Sequence, residues 1–90
     1  LSFKSFDEVI ERANDHDLGL CSYVCTNSME KAHLASEQLE TGSVAVNTGA
    51  VAIAEAPFGG IKQSGYGREG GSMAIKDYLN VKYTHMGIKG

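Results

Sequence analysis

Residues 20–46 read LCSYVCTNSMEKAHLASEQLETGSVAV, and this stretch decides the fold. Its first seven residues are apolar or compatible with a β-strand, and residues 44–46 at its end show no polar alternation. Such continuous runs are typical of strands covered on both faces. Between them, Asn27 is placed to cap a helix and Gly42 to end it. The stretch therefore predicts a βαβ unit, whose right-handed crossover makes the two strands parallel.

Another helix is predicted before this unit. Residues 5–8 read SFDE and fit a capping box, in which the serine and glutamate side chains satisfy free amides at a helix start. Apolar residues follow at helical spacing, and we expect a helix over residues 6–16; the apolar positions are Phe6, Val9, Ile10 and Ala13. Because two strands alone would leave both sheet edges bare, we expect them to belong to a larger sheet.

After the unit, residues 47–72 lose any regular hydrophobic pattern and contain seven of the eleven glycines. A loop of this length is uncommon in a compact domain and is usually functional or packed against another part of the protein. Residues 73–79 are expected to form a short helix capped by Ser72. Residues 81–86 alternate well enough to predict a last, exposed strand, and such an edge strand favours pairing with another chain.

Composition limits the classes of function. The 90 residues allow one small domain, which would be marginally stable alone. The net charge of -3 argues against nucleic acid as a partner, since nucleic-acid binding needs a basic stripe. No apolar run approaches the ~20 residues of a membrane span, so we expect no membrane contact and a cytoplasmic location. The start at Leu1 leads us to expect a piece of a longer protein.

The cysteines and histidines predict neither a disulfide nor a metal site. Cys21 and Cys25 lie four residues apart on a predicted strand, where their Cα atoms would be roughly 13 Å apart, too far for a disulfide. We expect both to be buried thiols. The three histidines, at positions 16, 33 and 85, form no ligand pattern with them, so the sequence predicts no metal site built from side chains.

Residues 65–70 read GYGREG and match the G-x-G-x-x-G fingerprint of dinucleotide-binding loops. The fingerprint requires a hydrophobic strand before it, whereas residues 61–64 read IKQS, and no acid follows near the ~20-residue offset used for the ribose. A phosphate-binding P-loop fails as well, because Tyr66 stands where the lysine must be. We therefore expect no cofactor-binding residue in this segment.

The longer block at residues 56–70, APFGGIKQSGYGREG, is more specific. It resembles the P-F-G-G-x-K-x-S-G-x-G-R-E motif near the C-terminus of aldehyde dehydrogenases. The resemblance covers nearly the whole chain, because the A-N, G-L, G-x-V and V-N positions of that family match residues 13–14, 19–20, 42–44 and 46–47. One departure is Leu18, where the family usually has tyrosine.

The resemblance implies an α/β fold. Residues 1–79 would be the C-terminal part of the catalytic domain, with the βαβ unit, the long glycine-rich loop and the short helix. Residues 80–90 would be an oligomerisation strand and tail that joins a neighbouring subunit in a dimer or tetramer. The implied reaction is oxidation of an aldehyde to the acid with NAD or NADP. The cofactor, the nucleophilic cysteine and the glutamate base would belong to parts outside this chain, so the chain alone is expected to be inactive.

The resemblance also implies roles for individual residues. Phe58 resembles the aromatic wall of the aldehyde pocket, with simple loop anchorage as the alternative. Glu69 resembles an acid that relays protons from the general base together with a lysine elsewhere, with a salt bridge to Arg68 or Lys62 as the alternative. In some family members the backbone carbonyls matching Lys62 and Gly65 bind K⁺ between subunits. Further residues are expected to shape the loop: Asn47, Gly59, Gly60, Ser64 and Gly65.

Two segments, residues 47–50 and 62–65, look most like succinate-semialdehyde, glutarate-semialdehyde and 2-oxoglutarate-semialdehyde dehydrogenases. Succinate-semialdehyde enzymes commonly carry a serine within the segment here formed by residues 51–54, and its hydroxyl helps to hold the substrate carboxylate. Ala52 cannot donate that hydrogen bond. A different class of function stays open: a free-standing interaction module derived from the same fold, which pairs through its edge strand with an intact enzyme subunit.

Overall fold

The computed structural model describes residues 1–89. Two α-helices, four short strands and one 3₁₀ helix follow each other along the chain. Their bounds are α1 (Phe6–Asn14), β1 (Leu18–Gly19), β2 (Cys21–Val24), α2 (Met29–Gln38), β3 (Ser43–Val46), β4 (Ile61–Lys62) and the 3₁₀ helix Ala74–Tyr78. Within residues 1–89, no helix has the length and apolar character needed to cross a bilayer.

The predicted βαβ unit is confirmed. Strands β2 and β3 pair in parallel, from Cys21 opposite Ser43 to Val24 opposite Val46, and α2 connects them. The residues that the structure buries between them are small: Ala35 of α2 is 2% exposed and Ala45 of β3 is 4% exposed. Their short side chains let the helix lie close to the sheet. No large side chain is fully buried in the described part of the chain, so this core is narrow.

Both helix starts differ in detail from the prediction. At α1 the Ser5 hydroxyl accepts from the Glu8 amide at 3.2 Å as expected, but the Glu8 carboxylate accepts from the Lys4 amide at 2.9 Å instead of from the Ser5 amide. Helix α2 begins one residue later than predicted, because Ser28 is its cap in place of Asn27 and accepts from Lys31 at 3.2 Å. Serine and asparagine are equally good caps, so adjacent ones leave the choice to tertiary structure.

Both α-helices also end earlier than predicted. Helix α1 stops at Asn14 instead of residue 16, because Asp15 already leaves helical geometry with φ -84° and ψ 60°. Helix α2 stops at Gln38, and Leu39 is extended with ψ 127°, well before Gly42. The last residues of both helices therefore need partners for their carbonyl groups from outside the helices.

Three further expectations differ from the structure. A short helix follows Ser72 as predicted, but it is a 3₁₀ helix over residues 74–78, and Met73 occupies its cap position in place of Ser72, without a side-chain hydrogen bond. Residues 47–72 contain a short strand that no hydrophobic pattern indicated, because β4 pairs antiparallel with β1. The two thiols are not both buried: Cys25 is exposed and Cys21 is half-buried.

A polar junction joins the ends of both helices to the loop. The Asn14 side chain donates to the Gln38 carbonyl and accepts from the Glu40 amide, both at 2.8 Å. The Lys62 ammonium donates to the carbonyls of Asn14 at 3.2 Å and His16 at 3.3 Å, and lies 3.5 Å from the Glu40 carboxylate. A cation beside a helix C-terminus also interacts favourably with the helix dipole. We call Asn14, Glu40 and Lys62 the helix-end junction.

After the 3₁₀ helix, residues 79–89 are exposed and extend away from the rest of the chain. Residues 81–86 form no hydrogen-bonded strand with any other part of residues 1–89. A strand requires a partner, and residues 1–89 supply none at that position, so the oligomerisation strand stays a prediction. Gly90, the last residue of the predicted tail, lies outside the described residues.

The junction predicts the effect of removing the Asn14 amide. In Asn14→Ala, the Gln38 carbonyl and the Glu40 amide lose their partner, so the free energy of unfolding should fall by about 1–3 kcal/mol. Urea unfolding of the natural gene product that contains this chain measures it. Asn27→Ala is the matched control, because Asn27 is exposed and its side chain makes no hydrogen bond to the described residues; it should change the free energy by under about 0.5 kcal/mol. Equal losses in the two variants would contradict the role of the junction.

Candidate functional site

The backbone brings the two predicted site residues Phe58 and Glu69 directly opposite each other. The Phe58 amide donates to the Glu69 carbonyl and the Glu69 amide donates to the Phe58 carbonyl, both at 2.7 Å. Residues 59–68 form the closed turn between them, which we call the site loop. Directly opposed residues of an antiparallel pair project from the same face, so the phenyl ring and the carboxylate share one side of the loop. Phe58 is half-buried, and Glu69 is exposed.

The ion pairs proposed as the alternative for Glu69 are not formed within the described residues. Arg68 turns its guanidinium inward, where Nη1 donates to the carbonyls of Gly60 at 2.9 Å and Gly67 at 2.8 Å. Lys62 belongs to the helix-end junction and pairs with Glu40. The two cations next to Glu69 in the motif are therefore occupied elsewhere, and the Glu69 carboxylate faces solvent.

Close backbone contact explains why glycine is required at position 59. A Cβ there would overlap the carbonyl oxygen of Gly67 and would lie 2.8 Å from Cδ of Arg68. On its other side, the carbonyl of Gly59 lies where a Cβ of Gly42 would be. The site loop thus packs backbone against backbone on the turn before β3, and no side chain fits between them.

The remaining loop residues hold the site loop to the chain before β2. The Ser64 hydroxyl accepts from the Gly19 amide at 2.8 Å, next to the β1–β4 pairing. The Gly60 carbonyl accepts from Arg68, as above, and the Gly65 amide donates to the Lys62 carbonyl at 3.2 Å within a turn. The turn places Lys62 at φ 55° and Gly65 at φ 101°. These contacts give the loop a defined shape although little of it is regular structure.

Asn47 lies at the carboxyl end of β3, where its backbone has φ 57°. Its side chain accepts from the Thr26 amide at 2.9 Å and donates to the Thr26 carbonyl at 3.0 Å. Its own amide donates to the Val24 carbonyl at 2.8 Å. The side-chain amide therefore substitutes for a further backbone residue and adds one more pair of hydrogen bonds beyond the last residues of β2 and β3.

Residues that the sequence did not single out complete the surroundings. An open cavity of about 300 Å³ lies beside the site loop, and Asp77 and Tyr78 of the 3₁₀ helix line it together with Phe58, Arg68 and Glu69. Asp77 contacts the loop through a hydrogen bond from the Arg68 amide at 2.8 Å. Nothing in the spacing of the sequence indicates this contact, because an aspartate in a short helix is ordinarily a solvated residue.

Residues 65–70 do not have the geometry of a dinucleotide-binding loop. Residues 65–70 open no α-helix, since they lead into turn residues and the 3₁₀ helix, and the strand before them, β4, has two residues. A pyrophosphate would find no helix N-terminus there. In residues 1–89, no three histidine, cysteine or acidic side chains converge as metal ligands. The K⁺ site expected at the carbonyls of Lys62 and Gly65 stays a prediction; the Lys62 carbonyl already accepts the Gly65 amide.

Comparison with known proteins supplies the family. Residues 1–84 match the Aldehyde dehydrogenase family over a stretch that includes both helices, all four strands and the site loop. The chain belongs to the aldehyde dehydrogenase family. The family resemblance expected from the block at residues 56–70 is thereby confirmed, and the site loop lies within this aldehyde dehydrogenase motif.

Two relatives and one structure illustrate the similarity. The chain is 51% identical over 85 residues to a 3-sulfolactaldehyde dehydrogenase of Pseudomonas putida, covering 94% of the chain and 18% of that protein. It is 47% identical over 85 residues to a succinate semialdehyde dehydrogenase of Acinetobacter baylyi, with the same coverage of 94% and 18%. The NAD⁺ complex of an aldehyde dehydrogenase from Bacillus cereus superposes with a TM-score of 0.89 at 45% identity, over 99% of this chain and 18% of that one. The chain thus spans under a fifth of the length of these relatives.

The packing around the site loop predicts different effects of the same substitution at Gly59 and at Gly49, which lies before the aldehyde dehydrogenase motif. Gly59→Ala should force the site loop open, because the new methyl group overlaps backbone, and should lower the free energy of unfolding by about 1–3 kcal/mol. Gly49→Ala is the control, since no atom lies within 4 Å of a Cβ at that position. The rate of tryptic cleavage after Arg68 measures loop opening directly. It should rise for the first variant only, and equal rates would contradict the packing described here.

Proposed function

We propose that this chain provides the aldehyde-facing loop of an NAD(P)-dependent aldehyde dehydrogenase that oxidises a small aldehyde carrying an acidic group at its other end. The observation that carries the proposal is the backbone pairing of Phe58 with Glu69, at 2.7 Å in both directions. It sets an apolar ring and a carboxylate side by side at the mouth of one cavity. An aldehyde oxidation needs both, because the carbon chain must be held and protons must leave.

Phe58 would form one wall of the aldehyde pocket. Its ring is half-buried beside the open cavity, and both its backbone amide and its backbone carbonyl are held by the pairing with Glu69. A fixed apolar surface orients the chain of a small substrate and excludes bulk water while the covalent intermediate forms. The alternative role of the ring is to anchor the loop. The ring is not needed for that role, because the backbone pairing and the packing of Gly59 already hold the loop in place.

Glu69 would carry protons away from the general base. Hydrolysis of a thioester to a carboxylic acid releases protons, and an exposed carboxylate that holds no cation is able to pass them to water. Glu69 meets both conditions within the described residues. A lysine from another part of the protein would complete the relay, as the resemblance implies. Glu69 is not proposed as the base itself.

The cofactor would be held outside this chain. NAD⁺ or NADP⁺ accepts the hydride in this family, and the G-x-G-x-x-G segment at residues 65–70 opens no α-helix that could hold its pyrophosphate. The choice between NAD⁺ and NADP⁺ depends on the residues that recognise the cofactor ribose. What this chain contributes is the binding and orientation of the aldehyde and the removal of protons.

The proposed substrate class rests on the named relatives and on the residue at position 52. Both relatives act, by their names, on aldehydes that carry an acid: a sulfonate in one and a carboxylate in the other. Ala52 offers no hydroxyl for the acid group, and this departs from the pattern expected of succinate-semialdehyde enzymes. We therefore propose an ω-anionic aldehyde whose acid group is recognised mainly by other parts of the protein.

The exposed residues after the 3₁₀ helix would join a neighbouring subunit. In this proposal, residues 1–79 are part of the catalytic domain, and residues 80–90 form the oligomer contact. Apolar side chains at every second position favour this: Leu79, Val81 and Tyr83 are all exposed, by 60%, 103% and 83%. The same exposed tail also suits the second candidate function, an interaction module without catalysis that pairs with an intact enzyme subunit. The two candidates differ in whether the natural gene product oxidises an aldehyde.

A substrate panel tests the proposed activity. The natural gene product that contains this chain is assayed with succinate semialdehyde, glutarate semialdehyde, 3-sulfolactaldehyde and the neutral aldehyde butanal, with each cofactor in turn. We expect at least one anionic aldehyde to exceed butanal in kcat/KM by about tenfold or more, because a pocket built for an anion leaves polar groups unpaired with butanal. Oxidation of butanal as fast as the others would remove the anionic class. No oxidation of any of them would favour the interaction module.

Phe58→Ala should raise the KM of the best aldehyde about tenfold and leave the KM of the cofactor nearly unchanged, because the ring would contact the aldehyde alone. Steady-state kinetics with each substrate varied in turn measures both. Phe3→Ala is the matched control, since Phe3 lies before α1 and outside the site loop, and it should change neither constant. A parallel rise in both KM values in Phe58→Ala would assign the ring to loop anchorage.

A further inference from the structure

Asp77 is the residue through which the 3₁₀ helix holds the site loop. Its carboxylate accepts a hydrogen bond from the Arg68 amide at 2.8 Å. The bond spans nine residues and joins two segments that share no regular pairing. Because the acceptor is charged, such a bond is stronger than a neutral one of the same geometry. Asp77 lies outside the aldehyde dehydrogenase motif at residues 56–70.

This hydrogen bond lies one residue before Glu69 and therefore affects the orientation of the chain that leads into Glu69. Arg68 directly precedes Glu69, and the residue before it, Gly67, has φ 101°. Glycine has little intrinsic preference between conformations, so the peptide joining Gly67 to Arg68 depends on external contacts for its orientation. Asp77 supplies the contact on the amide side of that peptide, and Arg68 Nη1 supplies one on its carbonyl side, at 2.8 Å from the Gly67 oxygen.

The pairing with Phe58 alone leaves Glu69 incompletely fixed. Its two hydrogen bonds hold the Glu69 backbone on the side facing Phe58. The peptide joining Gly67 to Arg68 lies outside this pairing, and without Asp77 only the Arg68 guanidinium would hold it. A rotation of that peptide would change the direction in which the chain enters Glu69 and so the position of the exposed carboxylate relative to the ring. Three groups therefore hold residues 67–69 in place: the Asp77 carboxylate, the Phe58 backbone and the Arg68 side chain.

We propose that Asp77 is a positioning residue for Glu69. It acts through the Arg68 amide and holds the Glu69 carboxylate where protons leave the reaction. The inference rests on the proposed function, in which Glu69 relays protons during thioester hydrolysis. No step in it requires Asp77 to contact the substrate or to change its protonation state.

The test compares five forms of the natural gene product with the aldehyde it oxidises best: wild type, Asp77→Ala, Asp77→Asn, Glu69→Gln and the double variant Glu69→Gln/Asp77→Ala. Lys76→Ala is the control from the same 3₁₀ helix, because its side chain makes no hydrogen bond to the described residues. Rapid mixing measures the burst of reduced cofactor, and steady-state assays give kcat and kcat/KM. The burst and kcat report hydrolysis, whereas kcat/KM reports the steps up to thioester formation.

If Asp77 positions Glu69, Asp77→Ala lowers kcat by roughly three- to tenfold and enlarges the burst, while kcat/KM stays near wild type. A general loss of loop structure would lower kcat/KM as well, because Phe58, the proposed wall of the aldehyde pocket, is paired with Glu69 where the loop begins and ends. Asp77→Asn keeps an oxygen acceptor and should return kcat to within about twofold of wild type. The double variant should be no slower than Glu69→Gln, because Asp77 acts through Glu69.

Several results would overturn the inference. Wild-type kinetics in Asp77→Ala, a proportional fall of kcat/KM, failure of Asp77→Asn to recover, or full additivity in the double variant would each remove Asp77 from the positioning of Glu69. The same holds if Lys76→Ala reproduces the effect. A wild-type burst in Glu69→Gln itself would instead remove Glu69 from the proposed relay, and Asp77 with it, while aldehyde oxidation and the Phe58 wall would stand.

Discussion

The carbonyl groups at the ends of α1 and α2 impose the constraint on which the rest of the structure depends. A helix leaves its last carbonyls without partners, and both helices here end at polar residues in place of a glycine cap. The Asn14 side-chain amide donates to the Gln38 carbonyl at the end of α2, and the Lys62 ammonium donates to the Asn14 carbonyl at the end of α1. Lys62 belongs to the site loop, so the same interaction that ends the helices also fixes where the loop begins its turn.

The site loop is held by backbone contacts in place of a core. Among residues 1–89, Ala35 and Ala45 are the buried apolar side chains, so the hydrophobic effect within this part of the chain is too small to shape a loop that lies at its edge. Hydrogen bonds between main-chain groups and a close approach of glycines do so instead, at Phe58 with Glu69 and at Gly42 with Gly59. A loop built in this way has a defined backbone and leaves its side chains available for chemistry.

The sequence predicted those parts of the fold that depend on local or periodic signals. The parallel strands were readable because residues 44–46 and 21–24 are continuously apolar or β-compatible, and α1 because its cap and apolar stripe agree. Two-residue strands such as β1 and β4 carry no period, so their pairing could not be read. The helix ends were misplaced because Asn14 binds residues 24 and 26 positions away, and propensity does not report such contacts. Within the site, the motif identified Phe58 and Glu69, but their mutual pairing and the contact from Asp77 are tertiary.

Asn47 has a consequence for how such a chain diversifies. Its side chain completes the ladder between β2 and β3 with a rung that contains no further backbone, and the main chain leaves the sheet at once with φ 57°. The residues directly after Asn47 therefore take no part in the pairing of β2 with β3. Changes of sequence or length within residues 48–52 would leave the register of β2 and β3 intact, because the hydrogen-bonded ladder already ends at Asn47.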